Sequence, residues 1–176
     1  MSTRFGPIFQ MGYVVRDMDK AIAHWTKVMG VGPFFVASGL QFETFQYNGV
    51  KSKGIDMTAA HGFSGDVDIE LICQNCDSPS IYQDFLKEKG EGMHHVGVLT
   101  DNYDADLERH IKSRLKVMQG GQTAPMGVKF AYFDNIGAYP GTMVELIENT
   151  PTMSKFLAMA KAKAANWDGS DPKRGR

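Results

Sequence analysis

The feature that most constrains how this chain folds is an internal duplication. The run at 92–100 has His95 near its start, is rich in apolar and β-branched residues, and contains Gly97. The same pattern occurs near the N-terminus, where Gln10 takes the place of His95 and Gly12 that of Gly97. Apolar, β-branched runs of this length predict strands. Their repetition predicts two similar structural units.

Each copy is followed downstream by an apolar tetrad with a glutamate at its second position. Glu70 lies 60 residues after Gln10 and Glu145 lies 50 residues after His95, so the frame repeats while the loops differ in length. Side chains two apart in a strand share a face, which places Asp68 beside Glu70. One such glutamate would be interpreted as a solvated residue of an edge strand. Two in matched positions favour burial, and buried carboxylates need a cation or another partner.

Four side chains that can donate a lone pair to a metal recur in this frame: Gln10, Glu70, His95 and Glu145. Two carboxylates, one amide oxygen and one imidazole nitrogen carry a total charge of −2, which matches a divalent ion. The set differs from the all-thiolate type of structural zinc site and fits Zn²⁺, Co²⁺, Ni²⁺, Mn²⁺ or Mg²⁺. His94 and His95 point to opposite faces of a strand, and the register with Gln10 selects His95 as the ligand.

The remaining histidines and the two cysteines have no matched partners. His24, His61 and His110 have no counterpart in the other half and are interpreted as structural or surface residues. Cys73 and Cys76 form one C-x-x-C at the end of a predicted strand. A redox pair would open a helix and a zinc ribbon would need a second pair, so two free thiols are predicted, with redox or metal chemistry as the alternative.

The chain reads as two modules of strands and one helix each, within one globular domain. The predicted boundaries are 1–77 for the first module, 78–91 for a connecting helix, 92–150 for the second module and 151–176 for a C-terminal helix and tail. Strands are predicted at 8–15, 34–38, 41–47, 54–60, 66–73, 93–100, 128–134 and 142–148. Helices are predicted at 19–29, 79–89, 104–118 and 152–165.

Turn and cap residues refine these boundaries. Asp17 or Asp19 is predicted to cap the first helix, and Asp101 or Asp104 the helix of the second module. Glycines at 62–65 and 120–121 and the pair at 48–49 predict turns. The C-terminal helix is expected to pack on the globule or on a partner subunit, with a lid over a pocket as the alternative, and 168–176 is expected to fray. Six residues are predicted to line a pocket or the core: Phe34, Phe35, Tyr47, Met126, Phe130 and Phe133.

Composition narrows the class of partner. The chain has 176 residues, 43% hydrophobic and 22% charged, with a net charge of −1, which is ordinary for a soluble globular protein. This balance provides no electrostatic basis for binding nucleic acid or an anionic membrane. No apolar run approaches the roughly 20 residues that span a bilayer, and the N-terminus has no secretory h-region. A cytoplasmic location is therefore expected.

Over residues 8–148 the sequence resembles the vicinal oxygen chelate superfamily, which includes glyoxalase I, methylmalonyl-CoA epimerases, extradiol dioxygenases and fosfomycin-resistance proteins. The resemblance implies an α+β fold in which two βαβββ modules form a curled mixed-sheet cup around one metal. It implies one ligand from the first and one from the last strand of each module. These positions carry Gln10, Glu70, His95 and Glu145, an order similar to that of eukaryotic glyoxalase I.

The neighbouring sequence is closer to the epimerase branch, on the segments 92–96, 15–19 and 30–33. Glutathione-dependent lyases carry arginines beside the first ligand and just before the histidine, and this chain has none there. Epimerases carry a second acid/base glutamate in a strand before that of Glu70, where this chain has the segment 51–53 without a carboxylate. An extradiol dioxygenase would have histidine at position 10 and no ligand at position 70.

The resemblance implies a metal-dependent lyase or isomerase/epimerase that acts on a small, metal-chelating carbonyl substrate. Glu145 is the expected base that abstracts the proton next to the carbonyl, and Glu70 is expected to assist from the other side. An enolate would follow, and the outcome would be isomerisation, epimerisation or elimination. The alternative is a non-catalytic, resistance-type protein of the same fold that binds a small molecule or drug. A homodimer is also implied.

Overall fold

The computed structural model describes residues 5–134 and 143–175, and in this part of the chain eleven strands form one curled mixed sheet flanked by four helices. The strands of the first half are β1 (Ile8–Val14), β2 (Phe34–Ala37), β3 (Gln41–Tyr47), β4 (Val50–Ser52), β5 (Met57–Ser64) and β6 (Val67–Gln74). Those of the second half are β7 (Gly92–Thr100), β8 (Val117–Ala124), β9 (Lys129–Phe133), β10 (Met143–Glu148) and β11 (Lys173–Gly175). The helices are α1 (Met18–Lys27), α2 (Ile81–Glu88), α3 (Tyr103–Lys112) and α4 (Pro151–Ala165).

The strand order shows the duplication directly. The sheet runs β11-β2-β5-β6-β1-β7-β10-β9-β8-β3-β4, so β2-β5-β6-β1 is mirrored by β8-β9-β10-β7. In each half the first strand pairs in parallel with the last, β1 with β6 and β7 with β10, and the two halves join through the antiparallel pair β1–β7. The predicted α+β fold, with two βαβββ modules in a curled sheet and a C-terminal helix, is confirmed.

The β3–β4 hairpin is an addition within the first half that crosses to the second. β3 pairs antiparallel with β4 on one edge and with β8 of the second half on the other. The glycines at 120–121, predicted to be a turn, lie inside β8. A Cβ added at Gly121 would lie 2.1 Å from the Thr44 carbonyl oxygen, so glycine is what allows the two backbones to approach.

Local features of the second module differ from the sequence prediction. The helix predicted at 104–118 ends at Lys112, and Arg114 then takes a positive φ of 66° that a helix cannot contain. Asn102 is its N-cap residue and makes no side-chain capping hydrogen bond, so the prediction of Asp101 or Asp104 as the cap was wrong. The strand predicted at 142–148 is observed from Met143, and residue 142 lies outside the described residues.

Two faces of the sheet carry different helices. On the inner face, which carries Glu70 and Glu145, α4 buries Leu157 in a cluster with Phe63 of β5 and Ile147 of β10. On the opposite, outer face, α1 is capped by Asp17, whose side chain accepts a hydrogen bond from the Lys20 N–H, and the helix buries Ile22 against Phe34. Among the described residues, no helix combines the length and apolar character needed to cross a membrane.

The turn predicted at 62–65 is tighter than expected, since β5 continues to Ser64 and only Gly65 and Asp66 turn the chain into β6.

The expectation that 168–176 frays is wrong within the described residues. Pro172 accepts a hydrogen bond from the Phe34 N–H at 2.8 Å, and β11 then pairs in parallel with β2. Of the six residues predicted for pocket or core, Phe34 and Phe133 are fully buried in the core.

Candidate metal centre

The four central strands bring three of the predicted ligands together. Glu70 lies on β6, His95 on β7 and Glu145 on β10, and all three side chains are buried. His95 Nε2 is 3.2 Å from Glu70 Oε2 and 3.3 Å from Glu145 Oε2. One potential ligand atom from each residue lies within 4.8 Å of the others. This geometry suits a single ion coordinated by all three.

The duplicated glycines make room for the duplicated ligands. Gly12 pairs with His95 across the β1–β7 junction, and Gln10 pairs with Gly97. A Cβ at Gly12 would lie 1.8 Å from the His95 ring, and a Cβ at Gly97 would lie 2.3 Å from Gln10 Oε1. Each half therefore supplies a polar side chain and the space for its counterpart.

Gln10 is buried beside the other three predicted ligands and pairs with Asp68 across the β1–β6 ladder. Its Nε2 donates to Asp68 Oδ2 at 2.9 Å, while its Oε1 has no hydrogen-bond partner. An amide oxygen held in this way is a suitable donor for a divalent ion. The assignment of Gln10 as a ligand stays a prediction.

His61 is the site residue that the sequence interpretation placed elsewhere. It lies on β5 directly opposite Glu70, and its Nδ1 is 2.9 Å from Asp68 Oδ2. Its Nε2 is 3.7 Å from Glu70 Oε1, so the imidazole links the two carboxylates. The sequence signal that could have identified His61 is the tight turn at 65–66. Positions equally far before and after a hairpin turn pair with each other, so position 61 pairs with position 70. In the other half Tyr132 occupies the matching place opposite Glu145.

Burial and mutual charge set the ionisation of the site. Burial alone would lower the pKa of His95 and His61, but the neighbouring carboxylates raise both to about 9. Burial, together with the charge of Glu70, raises the pKa of Glu145 above its usual value despite the opposing effect of His95. The pKa of Glu70 is lowered, because His95 and His61 outweigh the effect of its burial. Glu145 is therefore the more basic of the two carboxylates.

His94 orients the His95 ring. The two Nδ1 atoms are 3.1 Å apart, so the prediction that His94 and His95 point to opposite faces of the strand is wrong; the register between β1 and β7 shifts at this point. Burial lowers the pKa of His94 to about 3, so His94 is neutral at pH 7. With His95 assigned as the Nδ1–H donor in this contact, its Nε2 is left to coordinate a metal ion once the second ring proton has been lost. A ring N–H donated to a fixed acceptor is the arrangement that metal-bound histidines use.

Unsatisfied atoms provide the test of whether a cation fits. Four buried side-chain atoms here have no hydrogen-bond partner in the described part of the chain: Gln10 Oε1, Asp68 Oδ1, Glu70 Oε2 and His95 Nε2. His95 Nε2 approaches the carboxylates within 3.3 Å but without hydrogen-bond geometry. Buried polar atoms are nearly always paired, so such a concentration calls for a missing partner. A divalent cation held by Gln10, Glu70 and His95 would satisfy three of these four atoms together, and the residues present fit it.

A cavity of about 570 Å³ opens above this cluster. Its floor includes Gln10, His61, Glu70 and Glu145. Its walls are mainly apolar and include Phe35, Val128, Phe130, Ile147, Met153 and Phe156. The segment 51–53 does not contribute to the lining, and its side chains are exposed at the far end of the sheet. A small amphiphilic molecule fits a cavity with a polar floor and apolar walls.

A family model described as the glyoxalase/bleomycin resistance protein/dioxygenase superfamily matches residues 9–132. No curated protein sequence was found to match the chain.

Solved structures resemble this one over most of its length. A hypothetical protein from Bacillus halodurans matches with a TM-score of 0.61 at 15% identity, covering 82% of this chain and 94% of that chain. Methylmalonyl-CoA epimerase from Mycobacterium tuberculosis matches with a TM-score of 0.60 at 17% identity, covering 88% and 95%. A variant of the Streptomyces coelicolor epimerase in complex with 2-nitronate-propionyl-CoA matches with a TM-score of 0.55 at 19% identity, covering 82% and 95%. At these identities the likeness shows a shared fold.

Proposed function

Because the chain belongs to the glyoxalase/bleomycin resistance protein/dioxygenase superfamily, we propose that it is a metal-dependent lyase or isomerase that removes a proton next to a substrate carbonyl. One observation carries the proposal. Glu70, His95 and Glu145 converge, buried, beside an open cavity that Glu70 and Glu145 line, and among the described residues Glu70 Oε2 and His95 Nε2 have no hydrogen-bond partner. A structural metal site would be closed, whereas this one adjoins space for a substrate.

Glu70, His95 and Glu145 would hold one divalent ion, with the Gln10 amide oxygen as the fourth donor. Zn²⁺, Co²⁺, Ni²⁺, Mn²⁺ and Mg²⁺ are all compatible with this set of oxygen and nitrogen donors. The ion supplies Lewis-acid stabilisation of the negative charge that develops on the carbonyl oxygen when the proton leaves.

Glu145 is the proposed base. It faces the cavity, and in the metal-free site burial raises its pKa whereas the pKa of Glu70 is lowered. Glu70 is held between the two imidazoles of His61 and His95, which lower its pKa and fix its orientation. Glu70 lies across the site from Glu145 and is suited to assist from the other face. The place where the proton returns decides between epimerisation, isomerisation and elimination.

A non-catalytic binding protein is the second candidate, and the apolar walls of the cavity favour it. Against it stands the full set of four donors, which a protein that only sequesters an apolar ligand does not need. The epimerase neighbours extend the range of substrates to test to acyl-CoA thioesters, since one is bound to a CoA-linked nitronate. The homodimer and the cytoplasmic location stay predictions.

Exchange of solvent deuterium into candidate 2-oxo acids, 2-hydroxy ketones and acyl-CoA thioesters tests the chemistry directly. The metal-loaded protein is expected to catalyse exchange at the carbon next to the carbonyl, and Glu145→Gln is expected to abolish it while metal remains bound. Glu148→Gln is the matched control, because Glu148 lies on the same strand but does not line the cavity. Exchange that persists in Glu145→Gln would remove Glu145 as the base, and absence of exchange with every compound would favour the binding protein.

A further inference from the structure

The C-terminal segment is built into the fold by its own contacts. Trp167 packs over Gly32, where an added Cβ would lie 2.8 Å from the indole, and its Nε1 donates to the Ser170 carbonyl at 2.6 Å. Lys173 binds Asp19 on α1 at 2.7 Å. Gly175 has a φ of +96°, and a Cβ there would lie 2.3 Å from the backbone oxygen of its neighbour on β2. Contacts of Trp167, Lys173 and Gly175 therefore hold the C-terminal segment, with β11, in place on the fold.

The pleat of β11 decides where its two cationic side chains point. Lys173 is in register with Phe34, whose ring lies in the cluster beneath α1 on the outer face. Arg174 is in register with Phe35, whose ring contacts Phe156 of α4 on the inner face. Because neighbouring residues of a strand face opposite ways, Arg174 points to the inner face of the cup.

The inner face at this point is the cavity wall. Arg174 and Phe35 both line the cavity, as does Phe156. Among the described lining residues, Arg174 is the one permanent cation, and the floor carries the carboxylates of Glu70 and Glu145. The cavity therefore has a metal-binding end and a cationic wall position, with apolar side chains around them.

Within residues 5–134 and 143–175, the Arg174 guanidinium makes one hydrogen bond. Its Nε donates to the Asp171 carbonyl at 3.2 Å, which fixes the side chain, and Asp168 is the acidic side chain within electrostatic range. The remaining N–H groups have the planar arrangement that binds a carboxylate through two parallel hydrogen bonds.

We propose that Arg174, presented by the C-terminal strand, recognises a carboxylate of the substrate that is remote from the carbon at the metal centre. This inference rests on the proposed function and narrows it. The substrate class is an amphiphilic carbonyl compound with an apolar body and a terminal carboxylate. The apolar walls accept the body, and Arg174 selects the charged end.

Binding of octanoate and octanamide to the metal-free protein, measured by titration calorimetry, isolates the charge-recognition step from the metal chemistry. The two probes have the same chain length and differ in the charge of the head group. We expect wild type to bind octanoate at least about tenfold more tightly than octanamide, since hydrogen bonds between charged groups are the strong ones. Arg174→Gln is expected to remove this preference and to leave octanamide within about twofold of wild type.

Lys173→Gln is the matched control, because it removes a cation from the same strand on the outer face, and it is expected to keep the preference. Arg174→Lys, which keeps the charge, is expected to keep part of it. Equal binding of both probes by wild type, a preference that survives Arg174→Gln, or equal weakening of both probes would each overturn the proposal. None of these outcomes changes metal binding or deuterium exchange, whose failure would count against the proposed function itself.

Discussion

Substituting Gly12 by alanine tests how the duplicated frame makes the metal centre. A Cβ at this position would lie 1.8 Å from His95 Cε1 and 2.1 Å from Nε2, whereas ordinary contacts begin at 3.4 Å. The imidazole must therefore move by about 1.6 Å (3.4 − 1.8), or β1 and β7 must separate by as much. His95 is fully buried and its ring lies against His94 and Tyr132, so little free space is available.

Overpacking of this kind costs about 1–3 kcal/mol of stability. Displacing a positioned group by about 1 Å lowers a reaction rate on the order of 100-fold where geometry is decisive, and we expect a similar loss of affinity for a displaced metal ligand. We therefore expect Gly12→Ala to lower the melting temperature moderately and to weaken binding of a divalent metal by about 100-fold or more. Titration calorimetry with Zn²⁺ and thermal unfolding monitored by circular dichroism measure the two effects.

Gly62→Ala separates the loss of stability from the loss of the site. Its added Cβ would lie 2.9 Å from the Phe34 ring on the outer face, so it also overpacks the sheet but does not meet a predicted ligand. It is expected to destabilise the protein while metal affinity stays close to wild type. If Gly12→Ala binds metal as tightly as wild type does, the assignment of His95 as a ligand and the role of the paired glycines are both refuted.

Two further predictions follow from the raised pKa values of His61 and His95, which are about 9 in the metal-free fold against about 6.5 when unfolded. Each imidazolium contributes up to about 3 kcal/mol of stability below pH 6.5, and this is lost as the pH rises through 9. The metal-free protein should therefore melt at a lower temperature at pH 9 than at pH 6.5, and an unchanged or higher value would contradict the charge distribution described here. Metal affinity should change in the opposite direction, rising by about tenfold per pH unit between pH 7 and 9, because the proton on His95 must leave before Nε2 can coordinate. A pH-independent affinity would exclude His95.

The duplication allowed the central part of the fold to be predicted from sequence. Gln10 lies on β1 and His95 on β7, and these two strands pair with each other. Each pairs in parallel with the last strand of its own half, which brings Glu70 and Glu145 to the same place. The pairing of Gly12 with His95 is seen only in the structure, which joins the two copies through antiparallel β1 and β7. The local sequence pattern was sufficient to predict these strands because matching positions in the two halves support the same interpretation.

Features that break the repeat could not be derived in this way. The β3–β4 hairpin pairs with β8, which is far away in sequence. This pairing depends on the close approach of two backbones at Gly121 and not on strand propensity. His61 has no histidine counterpart, so comparison of the halves could not single it out. The polar tail looked free because its anchors, such as the hydrogen bond from Phe34 to Pro172, join residues far apart in sequence.

X-ray absorption spectroscopy of the protein loaded with Zn²⁺ tests most directly whether the duplicated side chains form one metal centre. The account predicts one ion per chain, a shell of oxygen and nitrogen atoms at about 2.0–2.2 Å, and the scattering of a single imidazole that disappears in His95→Ala. A sulfur shell at about 2.3 Å, which would place the ion at Cys73 and Cys76, or a spectrum unchanged in His95→Ala, would contradict it.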